Sequence, residues 1–338
     1  MYDDIVESLK KALILQKWNE GDRGSRIGHP FHWVDIETAP GLHNLSELSA
    51  LLLYFTMFYE QYPTPKTIEC PDMEDVQREI RRAALYVFRR YFPFLSVADY
   101  DKYLDALAST RAQDYSFIKS FADLQTSDVR HLDIGPGLGS HALYSRYAFK
   151  SLYCGLEAYP ESYQVQRNFF RYLSTEDAPY LDFVAAEAFG VPDAKFTEIL
   201  RNTRKGIVHV PSWKFPVVDS NYFDLVTATW VLNEVNHAGI LWLLGESIRT
   251  LKVGGWLYIR DSGKLKPGRH DVDYDALLTS LGFEEVRRLQ VQNRVDFFGI
   301  PRMYRKTKMT TVLSFDQLAD RILGKFHISV QSGTYNLR

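Results

Sequence analysis

The chain has 338 residues, 46% of them hydrophobic and 14% aromatic, which suits one large buried core with a sizeable appendage and excludes a disordered chain. Forty Lys and Arg against 42 Asp and Glu leave a formal net charge of -2, so no global field draws the chain to nucleic acid or to an anionic membrane. Two cysteines, Cys70 and Cys154, are too few for a disulfide scaffold and read as reduced thiols.

The start, MYDDIVES, is acidic and lacks a cleavable-signal pattern. The most apolar run, 48–59, is too short to span a bilayer. A cytoplasmic protein with no transmembrane segment is the expectation.

Residues 1–125 read as a helical N-terminal region that serves as substrate-binding part or lid. Ile5, Val6, Leu9, Leu13 and Ile14 fall at amphipathic helical spacing, and 48–59 is a second helical run. Between them, the loop GDRGSRIGHPFHWVDIETAPGLHN presents His29, Phe31, His32 and Trp33. Such groups can stack on and hydrogen-bond a sugar or ring substrate, or pack as a lid on one another. A third helix, 74–92, has acids at its start and arginines towards its end, as the macrodipole favours. Its Arg78, Arg81, Arg82, Arg89 and Arg90 read as a solvated face or as a phosphate site. Two more helical segments, 98–108 and 115–124, follow.

From about residue 126 the pattern becomes strand–helix alternation. Strands are expected at 129–134, 152–157, 207–211, 223–229 and 256–260, with helices at 140–149, 161–173 and 240–251. An insertion at 178–205 carries an extra helix, and 283–289 with 295–303 reads as a final antiparallel pair. This alternation implies an α/β fold whose mostly parallel sheet is covered on both faces. Three regions result: 1–125, a domain at 126–306, and a C-terminal extension at 307–338 that covers the active site, mediates oligomerisation or links to further domains.

The first strand runs into VRHLDIGPGLGSHALYSR, a strand, tight turn and helix. Glycines there allow backbone angles that other residues resist and let a ligand lie against the main chain. The dinucleotide fingerprint G-x-G-x-x-G needs its third glycine at 140, where the chain has Ser140. The spacing is instead D-x-G-x-G-x-G, formed by Asp133, Gly135, Gly137 and Gly139 around Pro136. Glu157 ends the second strand, about twenty residues on, where a carboxylate accepts both hydroxyls of a ribose. A helix-capping acid is the alternative at Glu157. Later come FDLVTATWVLNEV at 223–235 and, after a helix, LKVGGWLYI at 251–259, in which Gly254 and Gly255 break the helix and re-aim the chain.

In this order, these motifs resemble the class I S-adenosylmethionine-dependent methyltransferases over residues 128–305. The resemblance implies a Rossmann-like sheet with an antiparallel last strand, and S-adenosyl-L-methionine as cofactor. By it, the backbone around Gly135, Pro136, Gly137 and Gly139 faces the methionine part, and Asp133 orients the loop or reaches its amino group. Glu157 binds ribose, Ala158 abuts adenine, and Thr229 and Trp230 flank the sulfonium. The family's acid after the third strand is replaced here around Pro211, Ser212 and Trp213, so that Ser212 or backbone substitutes and Trp213 stacks on the base. More narrowly, YPESYQVQRNFF and the large N-terminal region are similar to sugar O-methyltransferases of bacterial polysaccharide biosynthesis.

The resemblance implies methyl transfer to a carbohydrate hydroxyl, on a nucleotide sugar or a glycan terminus, with a base to take the hydroxyl proton. His237, with Glu234 as its partner, lies beyond the fourth strand on the ligand side of such sheets; the pair reads equally as a polar cap on the next helix. Asp261 and His270 join the acceptor site, together with His29, His32 and Trp33. No metal is required, although Asp261, Asp271 and Glu234 offer carboxylates for a divalent cation. Alternatives are O- or N-methylation of an aromatic metabolite, and a non-catalytic cofactor-binding subunit. A nucleic-acid substrate is disfavoured by the balanced charge and by the absence of an N-P-P-Y-type motif after 229.

Overall fold

The computed structural model describes residues 70–91, 97–122, 124, 128–144, 151–157, 160–183, 191–229, 231–232, 237–261, 278–288 and 300–308. They fall into two compact units that divide between Pro211 and Ser212.

The first unit opens with two helices, α1 (Met73–Tyr91) and α2 (Val97–Phe121). On α1 the buried stripe Val76, Ile80, Ala83, Ala84 and Val87 recurs at helical spacing. Asp72 ties the start of α1 to Lys119 and Tyr115 near the end of α2, while Arg81 pairs with Asp101 and Asp105 at the other end. The two helices therefore run antiparallel. Arg78 and Arg82 pair with Asp75 and Glu79 of their own helix, so these three arginines form an ion-paired, partly solvated face. The sequence splits α2 in two at the polar stretch STRAQD, yet the helix is continuous. Thr110, Arg111 and Asp114 of that stretch are buried side chains rather than a break.

Strands β1 (Arg130–Ile134), β2 (Leu152–Glu157), β3 (Tyr180–Asp182) and β4 (Gly206–Pro211) follow, all paired in parallel in the order β3-β4-β2-β1. Between them lie a helical turn α3 (Ala142–Tyr144) and helices α4 (Pro160–Leu173) and α5 (Asp193–Asn202). Every residue of β2 and β4 is buried, which is why LYCGLE and GIVHVP read as runs and not as alternations. The expected insertion supplies α5 and also an edge strand, β3, that its three residues are too short to announce.

The second unit begins with a 3-10 turn, Ser212–Val217, and continues through β5 (Phe223–Thr229), α6 (His237–Thr250), β6 (Leu251–Asp261), β7 (Phe283–Arg288) and β8 (Ile300–Lys306). Its strand order is β5-β6-β8-β7, parallel between β5 and β6 and antiparallel thereafter. The fold is thus Rossmann-like and mostly parallel with antiparallel last strands, as expected. The final strand is described at 300–306, past the expected end at 303, because pairing with Trp256 to Asp261 of β6 carries it on; 295–299 lie outside the described residues.

Gly254 and Gly255 do a different job from the expected one. Helix α6 has already stopped at Thr250, where the Lys306 ammonium donates to the carbonyls of Ile248 and Leu251, each at 2.7 Å. The glycines instead lie inside β6, in a bulge where Phe223 faces Leu251 but Leu225 faces Trp256. At Gly255 a Cβ would lie 2.9 Å from the Lys252 carbonyl oxygen, a backbone atom that cannot swing aside, so glycine suits the bend.

Among the described residues no helix is long and apolar enough to cross a membrane, and no group of three or more His, Cys, Asp or Glu could hold a metal ion. Cys70 and Cys154 are both free thiols, Cys154 buried within β2, where burial pushes its thiol up.

Candidate functional site

In the first unit β1 ends against β2 with Ile134 opposite Leu156, and the Gly135 N–H donates to the Leu156 carbonyl at 3.0 Å. Glu157, buried, is the next residue of β2, so it stands beside the glycine turn. Gly135, Gly137 and Gly139 have φ of 59°, 59° and 82°, angles at which a side chain is strained. At Gly139 space is lacking as well, since a Cβ would lie 2.5 Å from Phe170 Cε1. Gly155 of β2 likewise seats Pro136, whose Cγ is 3.2 Å from where a Cβ would sit. The glycines let the turn pack tightly against Phe170 and β2, with Gly135 and Gly137 half-buried.

Beneath it lies a buried polar web. Asp133 accepts from the Tyr153 hydroxyl at 2.7 Å on one oxygen, and its other oxygen lies 3.2 Å from His141 Nδ1. The far nitrogen of His141 is 3.5 Å from Asp114, to which Arg111 pairs at 3.4 Å. The Arg111 carbonyl accepts from Tyr144 at 2.7 Å, and Arg111 Nη2 comes within 3.7 Å of the Cβ position of Gly137. Burial opposes charge on His141, but Asp133 and Asp114 outweigh it and raise the imidazole above its ordinary value. His131, equally buried, is lowered to about 3 by burial, against a smaller pull from Asp133. Both Asp133 oxygens are engaged by protein groups, which fits an acid that orients the loop.

The turn and Glu157 are joined from below by Gln166 of α4. Its Nε2 donates to the Gly137 carbonyl at 2.9 Å and to Glu157 Oε2 at 2.6 Å. Sequence reasoning missed Gln166, His141, Asp114, Arg111 and Tyr153. For Gln166 a signal existed: it occupies the buried stripe that Tyr163, Phe170 and Leu173 make on α4.

The first unit therefore brings together Asp133, Gly135, Pro136, Gly137, Gly139 and Glu157. In the second unit Ser212 is buried at the start of the 3-10 turn, whose next residue is Trp213. Thr229 is buried at the end of β5, opposite Arg260, and Asp261 closes the parallel neighbour β6. His237 is the first residue of α6, which follows β5. Thr229, His237 and Asp261 thus occupy the carboxyl-end side of a parallel pair, where open α/β sheets bind ligands. His29, His32, Trp33, Ala158, Trp230, Glu234 and His270 lie outside the described residues, as do the side chains of Trp213, His237 and Asp261.

No family model and no curated protein matches the sequence. Solved structures similar to the chain include magnesium protoporphyrin IX methyltransferase from Synechocystis PCC 6803 with bound SAM, at 11% identity over 72% of this chain and 100% of that one, TM-score 0.41. The cyclase SpnF is similar at 17% identity over 59% of this chain and 82% of that one, TM-score 0.40. Phosphoethanolamine N-methyltransferase 1 from Haemonchus contortus, in complex with phosphoethanolamine and S-adenosylhomocysteine, is similar at 13% identity over 86% of this chain and 56% of that one, TM-score 0.40.

Proposed function

We propose that the chain is an S-adenosylmethionine-dependent O-methyltransferase that acts on a carbohydrate hydroxyl, on a nucleotide sugar or a glycan terminus. The observation that carries the cofactor is the bare glycine turn with the buried Glu157 carboxylate beside it. That donor set fits a nucleoside: Glu157 accepts from ribose hydroxyls, and the half-buried main chain at Gly135 and Gly137 takes the amino-acid end. The D-x-G-x-G-x-G spacing and LKVGGWLYI favour the methyltransferase reading over a dehydrogenase. The carbohydrate acceptor is supported by YPESYQVQRNFF and by the loop that carries His29, His32 and Trp33.

When bound, the cofactor supplies an electrophilic methyl on a sulfonium. The chain's task is to hold the acceptor oxygen in line and to take its proton. His237 takes that proton, Glu234 orients the imidazole, and Thr229 and Trp230 close on the reacting centre. Asp261 and His270 hold the acceptor. By the resemblance, Ser212 and Trp213 are candidates to contact the base from the second unit, and Ala158 is the candidate of the first.

Calorimetric titration with S-adenosylhomocysteine and, separately, with NAD tests the cofactor. Saturable binding of the first alone, weakened about 10- to 100-fold in Glu157→Ala, is the expected result. Binding of NAD alone overturns the reading. Mass-spectrometric screening of sugar acceptors then tests the substrate, and turnover unchanged in both His237→Ala and Glu234→Ala removes that pair from the mechanism.

A further inference from the structure

The proposed chemistry leaves the fully buried Gln166 without a role. A polar side chain on the apolar stripe of α4 is costly unless hydrogen-bonded. Its two partners are a main-chain carbonyl and a carboxylate, and both accept. The amide must therefore present its nitrogen, one hydrogen to each.

We infer that Gln166 is a positioning residue that gives the site its preference for a vicinal diol. This rests on the nucleoside reading above. Gln166 fixes which way the Glu157 carboxylate points and ties it to the turn that carries the rest of the ligand. A carboxylate has about four lone-pair sites, so accepting from Gln166 leaves capacity for hydroxyl donors. A carboxylate with one directing bond fewer is less well ordered, and each ligand must supply that order. Gln166 removes that cost for a ligand with both ribose hydroxyls and does nothing for one that lacks them.

The test compares S-adenosylhomocysteine with its 2′,3′-dideoxy analogue by calorimetry, in wild type, Gln166→Met and Gln166→Asn. Methionine keeps the length and loses both donors, whereas asparagine keeps the amide but is too short to reach both acceptors. Wild type should prefer the diol ligand by about 10-fold or more. Gln166→Met should bind that ligand about 10-fold more weakly and the dideoxy analogue unchanged, so that the preference collapses. Unchanged binding of the analogue also shows that the variant is folded. If Gln166→Met does not fold, Gln166→Asn reads the same ratio. Adding Glu157→Gln to Gln166→Met should cost little more, because the carboxylate is already misdirected.

Equal weakening of both ligands, or a retained preference, overturns the role of Gln166 while leaving the nucleoside reading in place. A wild type that binds neither ligand overturns the nucleoside reading and this inference together, and one that binds both alike overturns the ribose role of Glu157 and with it this inference.

Discussion

Beneath the glycine turn of the first unit, Asp133 and Asp114 meet His141 and Arg111 side chain to side chain. In the second unit the buried ammonium of Lys306 is directed instead at the main-chain carbonyls of Ile248 and Leu251, while the Arg249 guanidinium joins the carbonyls of Phe215, Pro216 and Val218 to the Glu246 carboxylate of its own helix. A cation on carbonyls closes a helix end or a turn, and its partners neither titrate nor leave. A web of side chains depends on each member's protonation and on the conformation of the loop above it. The charge of Lys306 is structural, whereas the charges of the web are tied to the candidate ligand turn.

Asp133→Ala should have the largest effect. It leaves His141 with one carboxylate fewer and Tyr153 without its acceptor, and should cost about 3–5 kcal/mol in urea unfolding. Affinity for S-adenosylhomocysteine should fall with it, because the strand end that carries the turn loses its anchor. A loss below about 1 kcal/mol would mean that the web relaxes around its own defect, and the contrast between the units would fail.

Lys306→Met should be smaller and cleaner. It removes two charge-assisted bonds to the end of α6 and should cost about 2 kcal/mol by the same measurement. Affinity for S-adenosylhomocysteine should stay within about twofold, since those bonds end on carbonyls and not on a proposed ligand group. A ligand affinity that falls in step with stability would erase the distinction drawn above.

The same contrast governs what could be read in advance. The strands at 152–157 and 223–229 are legible to the residue, because LYCGLE, buried throughout, reads as a nearly unbroken apolar run and FDLVTAT, buried but for Asp224, is rich in strand-forming residues. The turn is legible because glycine punctuates it. Asp114 and Gln166 are not: a buried polar residue has the same letter as a solvated one, and only its partner tells them apart. His141 reaches Asp114 across 27 residues and Lys306 reaches Ile248 across 58, separations at which no local pattern survives. For that reason STRAQD reads as a break between helices when it is the middle of one.

The smallest effect is a dependence on pH that belongs to the first unit. Five groups face His141: Asp133 and Asp114 favour its charge, Arg111 opposes it, and the Tyr144 and His131 rings stack beside it. The imidazole is raised in the folded chain above its ordinary 6.5. Folding is then favoured by proton binding at this site. That contribution is full below the unfolded value near 6.5 and is lost as pH rises through the folded value. Unfolding free energies of wild type and His141→Gln, measured from about pH 6 to about pH 9, isolate it. Wild type should lose stability with rising pH relative to the variant, whose amide does not titrate. Parallel curves would mean that the imidazole is neutral between its two carboxylates and that one of them carries the proton instead. The web would then be a set of neutral hydrogen bonds, nearer in kind to the carbonyl caps of the second unit.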